Sequence, residues 1–430
     1  MPGLINSIKK SIFSEDFLSR HRSSPKAFSR QRLLPFHRLI YFLMNMNKGS
    51  YQDELDNFFK VLNHMEVAER VVTKGAISKA RIKLNYQAFI ELNAKMASHY
   101  YSYFSTISWH GFNLLAVDGS TLRVPDEDEI VEHFGVWDVD KGKPCPKARI
   151  SQMFDVLNRI TVDAIIRPKA EGERELASFH FLRLMPNDLI LLDRGYPAFW
   201  LFKLVESMDA NFCARVSYKK WKVIRKFYRS GNTEQIVKIC PTPLSVSKCT
   251  ELGIDKDPIK VRLIRVELDT GESEILITSL TDKNKYPQSI FYSLYHHRWP
   301  VEEDYKTMKC RMEMENFSGK SVLSVYQDFH AKVFSKNLTA IIANTTKEEI
   351  KKLSERRKYQ YQINFTQVLS KMKHTIVLLF TRSVEKVKFI VTKLQNIFSQ
   401  TVEQVRPGRK YERNHKVKLK KFHIAYKPIC

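Results

Sequence analysis

The chain has 430 residues, 71 Lys and Arg against 46 Asp and Glu, a formal charge of +25 and 43% hydrophobic residues. So apolar a chain is not a disordered tail, and at roughly 150 residues per domain its length predicts about three structural units, excluding a single small module. The cationic surplus favours a polyanionic partner, nucleic acid or an anionic surface, over an acidic small molecule.

Membrane insertion is not expected, because apolar stretches such as Leu39 to Met44 and Ile376 to Phe380 fall far short of the about 18 residues that span a bilayer. Met1 to Leu18 carries Lys9, Lys10, Glu15 and Asp16 and lacks the continuous apolar segment of a signal peptide. Six cysteines are scattered with no C-x-x-C pair, so they read as reduced thiols of a cytoplasmic protein.

The first hundred residues read as helices, with apolar positions three and four apart at Leu55, Phe58, Phe59 and Leu62, then Phe89, Leu92 and Met96. Residues 1 to 50 hold nine Lys and Arg and two acids. The segment from Thr73 to Lys83 sets Lys74, Lys79, Arg81 and Lys83 around a short helix whose Ile77 and Leu84 face inward. It reads either as a small DNA-binding domain of helix-turn-helix type or as a solvated bundle with a basic face.

From Trp109 the periodicity changes. Phe112 to Val117 is an apolar run ending at Asp118-Gly119. Ser151 to Val156 and Arg159 to Ile166 predict two strands joined at Asn158, and Glu171 to Leu184 predicts a helix. Asp188 to Leu192 predicts a buried strand ending at Asp193-Arg194-Gly195. Strand, hairpin, helix, strand is the order of a mixed α/β layer fold. Residues 211 to 285 turn strand-rich, at Phe212 to Ser217, Gln235 to Ile239, Ile259 to Leu268 and Glu274 to Leu280. Beyond Pro287 the chain is helical again. There Val384, Val387, Val391, Leu394, Phe398 and Val402 form a stripe best read as core, and Arg406 to Cys430 is a basic tail with nine Lys and Arg and one acid.

Asp118 and Asp193 each follow at least four apolar residues and each precede a glycine within two positions, which puts two carboxylates at strand ends. Side chains there leave the buried layer and reach a shared cleft. For either alone a turn-forming Asp beside Gly is the simpler reading. A third acid, Glu302, lies on a stretch where Tyr295, Arg298, Glu302, Lys306 and Lys309 sit at helical offsets and predict one helix face. Such a face could complete a three-acid cluster with flanking phosphate-binding cations, or be an exposed salt-bridged helix. Pro300 predicts a kink, or a new helix that starts there. Arg215 to Arg229 holds seven cations and no acid: Arg215, Lys219, Lys220, Lys222, Arg225, Lys226 and Arg229, interleaved with Tyr218, Trp221, Phe227 and Tyr228. Cations suit phosphates and exposed rings can stack on unpaired bases; a solvated basic hairpin is the plainer reading. Gly319-Lys320-Ser321 is no phosphate loop, since Met314 stands where its first glycine belongs.

Taken together these residues resemble the bacterial insertion-sequence transposases with a D-D-E triad, in the subgroup called insertion-sequence family four. Tyr295, Arg298, Glu302 and Lys309 match its Y-x2-R-x3-E-x6-K signature at every position, and Val117-Asp118-Gly119-Ser120 and Leu192-Asp193-Arg194-Gly195-Tyr196 match the settings of its two aspartates. Asn316 to Ser321 and Gln327 to Ala331 also resemble the family, and the likeness covers roughly residues 25 to 345.

The resemblance implies an α/β fold: a ribonuclease-H-like catalytic core with a β-rich insertion, flanked by helical regions at both ends. Residues 1–108 would be a helical DNA-binding domain, 109–210 the first part of the core, 211–285 the insertion, 286–345 the second part with the glutamate helix, and 346–430 the C-terminal helices and tail. It implies that Asp118, Asp193 and Glu302 are catalytic and hold two magnesium ions, with manganese a possible substitute. Tyr295, Arg298, Lys306 and Lys309, with Lys219, Lys220, Trp221, Lys222, Arg225, Lys226 and Arg229 in the insertion, are the DNA-binding candidates. The expected partners are double-stranded DNA, both terminal inverted repeats and target, and a second copy of the chain when two ends are synapsed.

The sequence departs from the family where relatives stack a flipped base on a tryptophan during a DNA-hairpin step. Glu274 stands there and cannot stack; Trp221 is the candidate substitute, and end processing by another route is the alternative. The function implied is a transposase that cleaves element ends and joins them to target DNA. A two-metal nuclease without strand transfer and a non-catalytic DNA-binding derivative are the alternatives.

Overall fold

The computed structural model describes residues 1–30, 32–137, 144–219, 221–268 and 271–406. Lys220 and the tail beyond Arg406 therefore lie outside the described residues. Two compact units emerge: Met1–Phe104, Leu122–Ala148 and Lys306–Cys430 form the first, and Ser105–Thr121 with Arg149–Tyr305 the second. No helix among the described residues is long and apolar enough to cross a membrane.

Among the described residues nine strands precede the carboxyl-terminal helices: β1 Asn113–Arg123, β2 Val136–Trp137, β3 Cys145–Asp155, β4 Ile160–Arg167, β5 Asp188–Leu192, β6 Asn211–Val216, β7 Glu234–Ile239, β8 Ile259–Glu267 and β9 Ser273–Thr278. The second unit is organised on a mixed sheet in the order β4-β3-β1-β5-β6-β9-β8-β7. β1, β5 and β6 run parallel, whereas β3 with β4 and the series β6, β9, β8, β7 pair antiparallel. An antiparallel hairpin on one side of β1 and parallel strands on the other fits the mixed α/β layer read from the sequence and the ribonuclease-H-like core that the resemblance implies. All five residues of β5 are buried, as a parallel strand covered on both faces requires. The helices Glu173–Phe181 and Phe199–Ser207 pack Ala177, Phe181, Phe202 and Leu204 into a core shared with Val117, Ile190, Leu192 and Phe212. There the rings of Phe202 and Phe212 stack at 4.1 Å. Burying an apolar side chain of that size stabilises by about 1.5–3 kcal/mol.

Between β6 and β8 the structure adds two helices to the region read as strand-rich. The basic stretch is not a hairpin: it leaves β6 at Val216 and becomes the helix Lys222–Ser230, and a second helix, Pro243–Leu252, follows β7. The alternation needed for a strand is missing there. Ile224 and Phe227, three apart, are buried, while Lys222, Arg225, Lys226 and Arg229 are exposed, which is a helical pattern. Gly231, at φ 73°, ends the helix in the left-handed region.

The first unit is largely helical. The helices Tyr51–Asn63, Lys74–Arg81 and Gln87–Tyr103 contain the apolar periodicities read from the sequence. In the helix Val384–Gln400 the stripe positions Val387, Val391, Leu394 and Phe398 are buried; Val384 is exposed, and Val402 lies beyond the helix end. The helix Val322–Asn344 is buried from Ser324 to Ala343, although it carries Gln327, Asp328, Lys332 and Lys336. Those polar groups need partners, and Arg81 supplies several. Its Nη2 donates to Asp328 Oδ1 at 2.8 Å, its Nε to Gln327 Oε1 at 2.8 Å and its Nη1 to Ser318 Oγ at 2.6 Å. Arg81 is thus a buried tie rather than part of an exposed basic face.

Candidate active site

The apolar runs of β1 and β5 set the first two acids. Val117 pairs with Leu192 at the end of the parallel ladder, so Asp118 and Asp193, the next residue on each chain segment, are set side by side; Asp193 follows the end of β5, whereas the strand end expected at Asp118 is corrected, since β1 runs on to Arg123. Neighbouring strands lie about 4.8 Å apart. Gly119 keeps this end narrow: a Cβ there would meet the Glu173 side chain and Tyr196 Oη at 3.4 Å. Tyr305 Oη donates to the Asp118 carbonyl at 2.7 Å and fixes β1 at that point.

Glu302 comes from the helix Pro300–Lys306, which starts at the proline as the sequence suggested. The preceding helix, Ile290–His296, stops first, and a π-helix, Thr307–Arg311, follows. The single continuous face predicted from Tyr295 to Lys309 is therefore corrected: Pro300 has no N–H for the ladder, and the chain turns at His297 to Trp299. Tyr295 and Arg298 still reach the acids. Tyr295 Oη donates to Asp193 Oδ1 at 3.3 Å and Arg298 Nη2 to Glu302 Oε1 at 2.6 Å. Lys306 ends its helix and is exposed, and Lys309 is half-buried in the π-helix; both belong to the first unit.

Three further participants, Arg215, Glu274 and Tyr196, were not assigned to this cluster from the sequence. Arg215 gives Nε and Nη2 to Asp193 Oδ1 at 3.2 and 2.8 Å, and its Nη1 pairs with Glu274. Ala214 pairs with Leu192, so Arg215 sits on β6 opposite Asp193; a cation interrupting that apolar strand was the available signal. The buried hydroxyl of Tyr196 has no hydrogen-bond partner among the described residues. Burial raises its pKa well above the usual range, reinforced by Asp118, Glu173 and Asp193.

The electrostatics separate the acids. Burial pushes the Asp118 carboxyl up to about 6, with Glu302 and Asp193 adding to the rise and Arg298 opposing it. Asp193 feels burial too, but the Arg194 N–H, Arg215 and Arg298 outweigh it and hold the group below the usual range. Asp118 has no ion pair among the described residues.

Among the described residues no three His, Cys, Asp or Glu side chains are gathered closely enough to enclose an ion as they stand. Arg215 and Arg298 instead each cover one oxygen, of Asp193 and of Glu302. The donor set itself, carboxylate oxygens alone beside an unsatisfied hydroxyl, suits a hard divalent cation.

Between β6 and β7, Lys219, Lys222, Arg225, Lys226 and Arg229 are exposed. Trp221 is half-buried, edge-on to Phe202 at 6.1 Å, so its ring serves packing; the exposed rings are Tyr218 and Tyr228, stacked on each other at 4.4 Å.

The model of the transposase DDE domain family matches residues 109–338. The transposase InsG for insertion sequence element IS4 of Escherichia coli strain K12 is 23% identical over 298 residues, 68% of this chain. The putative transposase InsZ of the same organism is 26% identical over 129 residues, 29% of this chain. The chain spans 65% of the length of the first relative and 42% of the second. A cryo-EM synaptic complex of piggyBac transposase with hairpin DNA superposes with a TM-score of 0.46 at 10% identity, covering 94% of this chain and 87% of that one.

Proposed function

The chain belongs to the transposase DDE domain family, and from that premise we propose that it binds the ends of a mobile DNA element, cleaves them and joins their 3′ ends to target DNA. Asp118, Asp193 and Glu302 would hold two divalent ions, magnesium by preference and manganese as a substitute. When bound, such ions supply activation of water or of a DNA 3′-hydroxyl and stabilise the leaving oxygen of an in-line displacement.

One observation carries this reading: two carboxylates at matched positions on adjacent parallel strands, electrostatically coupled to a third. Four carboxylates, counting Glu274, meet two guanidiniums in the cluster. Like charges about 4 Å apart repel by roughly 4 kcal/mol at an effective dielectric near 20, so the surplus acid favours added cations. The chain's own groups do the positioning. Tyr305 anchors the Asp118 backbone, Tyr295 and Arg215 orient Asp193, and Arg298 acts on all three acids. When DNA phosphates arrive, Arg215, Arg298 and Tyr295 can exchange carboxylate oxygens for phosphate oxygens. Lys306, Lys309 and the exposed cations of the insertion would bind flanking phosphates, and a pair of chains would bring two ends together.

The test incubates the protein with a plasmid and a pre-cut repeat end in Mg²⁺. Joined product is expected from the wild type. Asp118→Asn should keep end binding and lose cutting by at least about 10³-fold, roughly 4 kcal/mol of barrier. Cutting that survives in Asp118→Asn would remove this assignment.

A further inference from the structure

The three acids have a carboxylate neighbour that the proposed function leaves unused. Glu173 opens the helix Glu173–Phe181, and Arg149 on β3 holds it, with Nη1 donating to Oε1 at 3.1 Å. Glu173 Oε2 has no hydrogen-bond partner among the described residues, and the side chain is 51% exposed. Arg174, the next residue, donates Nε to the Gly195 carbonyl at 3.0 Å and Nη2 to the Pro197 carbonyl at 3.2 Å. Those two carbonyls flank Tyr196, whose own N–H goes to the Asp193 carbonyl at 3.0 Å. One helix start therefore carries an unpaired carboxylate oxygen and also pins the turn that presents the tyrosine.

Both groups face a single point beside Asp118. A Cβ on Gly119 would stand 3.4 Å from the Glu173 carboxyl carbon and 3.4 Å from Tyr196 Oη, which sets the two within reach of one bridging water. Tyr196 is 2% exposed, and its hydroxyl has no partner among the described residues. Burial, with Asp118, Glu173 and Asp193 around it, keeps that hydroxyl protonated. A buried O–H without an acceptor destabilises a fold, so its persistence here points to a ligand that accepts from it. A proton to give and, across the gap, a carboxylate oxygen to receive are the two contacts that orient a water for attack. A DNA 3′-hydroxyl is carried into place by its own strand, whereas a water has no tether and needs protein contacts to hold it in line.

We propose that Glu173 and Tyr196 are a further catalytic pair, which seats the water that hydrolyses the element end: Tyr196 Oη donates to the water oxygen, and Glu173 Oε2 takes its proton. As the water oxygen bonds to phosphorus, one O–H bond breaks towards Glu173 and the P–O3′ bond breaks. The 3′ oxygen leaves as a hydroxyl, protonated from solvent, and the 5′ phosphate keeps the new oxygen. Glu173, in contact with solvent, returns its proton to bulk water. The pair rests on the proposed cleavage reaction and gives it a proton acceptor distinct from the three acids assigned to cations.

The experiment follows, in single turnovers of the full chain with Mg²⁺, the cutting of an uncut repeat end beside the joining of a pre-cut one. Glu173→Gln keeps an acceptor for Arg149 and should slow cutting by about 10²- to 10⁴-fold, the usual contribution of a general base, while joining stays within a few-fold of wild type. Tyr196→Phe should slow cutting by about tenfold, the effect of one hydrogen bond. In EDTA its thermal midpoint should hold or rise, since the substitution removes a buried hydroxyl that lacks a partner. Mn²⁺ affinity, measured by calorimetry, should match the wild type in both variants. Cutting at the wild-type rate in Glu173→Gln would overturn the pair. So would an equal loss of cutting and joining, or a loss of Mn²⁺ affinity like that of Asp118→Asn, which would make Glu173 a cation ligand. A lowered midpoint in Tyr196→Phe would make that hydroxyl a structural group and overturn its role. If Asp118→Asn stops cutting while both variants cut normally, the pair fails and the proposed function stands. If the wild type neither cuts nor joins, the proposed function itself fails, and the pair with it.

Discussion

Two clusters of buried and half-buried charge, one in each unit, are built oppositely. Around Arg81 the charges balance. The guanidinium has an acceptor at Nε, Nη1 and Nη2, Asp328 accepts on both oxygens, and the two side chains are 6% exposed each. Burial alone would raise Asp328, but Arg81, Lys332 and Ser318 outweigh it and hold the carboxylate low. Around Asp118 the charges do not balance: acids outnumber arginines, the Tyr196 hydroxyl lacks a partner among the described residues, and Asp118 rises to about 6. A closed network spends its interactions on holding helices together, whereas an open one retains unmet electrostatic demand for a ligand.

The sharpest way to break this contrast is to neutralise one acid in each cluster. Asp328→Asn strands the Arg81 charge in a dry environment, and removal of one partner from a buried pair costs about 3–5 kcal/mol. A fall of that size in the urea-unfolding free energy is expected, with activity lost only through the fold. Asp118→Asn should act in the opposite direction. Its folded pKa, about 6, lies above the unfolded value near 4, so the protonated form is favoured in the fold. The stability linked to that proton is complete below pH 4 and lost as pH rises through 6. Asparagine cannot ionise, so without metal the variant should exceed the wild type by about 1–2 kcal/mol at pH 7, a gain that vanishes by pH 4. Equal destabilisation by both substitutions would erase the distinction.

Much of the open cluster was legible because the apolar runs mark where the parallel ladder ends, although only β5 stops there and β1 runs on to Arg123. Leu114 to Val117 and Leu189 to Leu192 stop at an acid, and the parallel register then brings those acids together. Pro300 announced the helix that begins at it. The partners of the acids were not legible in the same way. Arg298 and Tyr295 read as phosphate ligands from their spacing, yet in the structure they hold Glu302 and Asp193, since a cation cannot declare from sequence which anion it faces. Arg215 was grouped with the basic stretch of the insertion, whereas register on β6 sets it against Asp193. Glu274, which the sequence marks only as unable to stack, acquires a use as the second anchor of that arginine. The closed cluster was misread for the same reason: Arg81 looks like one more lysine-like charge beside Lys79 and Lys83 until the buried Asp328, 247 positions away, is in view.

A third arrangement grades the contrast. Glu91 accepts from Arg20 at 2.8 Å, His21 at 2.8 Å and Lys95 at 3.0 Å, with Arg20 and Lys95 largely in water. Burial would raise Glu91, but its three hydrogen-bond donors hold it down at about 2. Burial also lowers His21, so at neutral pH that ring donates as a neutral group. Because the folded pKa lies below the unfolded one, the stability contributed by Glu91 is present above about pH 4.3 and is lost as pH falls towards 2. Solvent and salt screen such a pair, so Glu91→Gln should cost only about 1 kcal/mol at pH 7, less in molar salt. Urea midpoints of variant and wild type should converge as the pH approaches 2. A loss as large as that of Asp328→Asn, or one insensitive to salt, would show that exposure is not what separates the surface cluster from the closed one, and that charge balance alone sets the ranking.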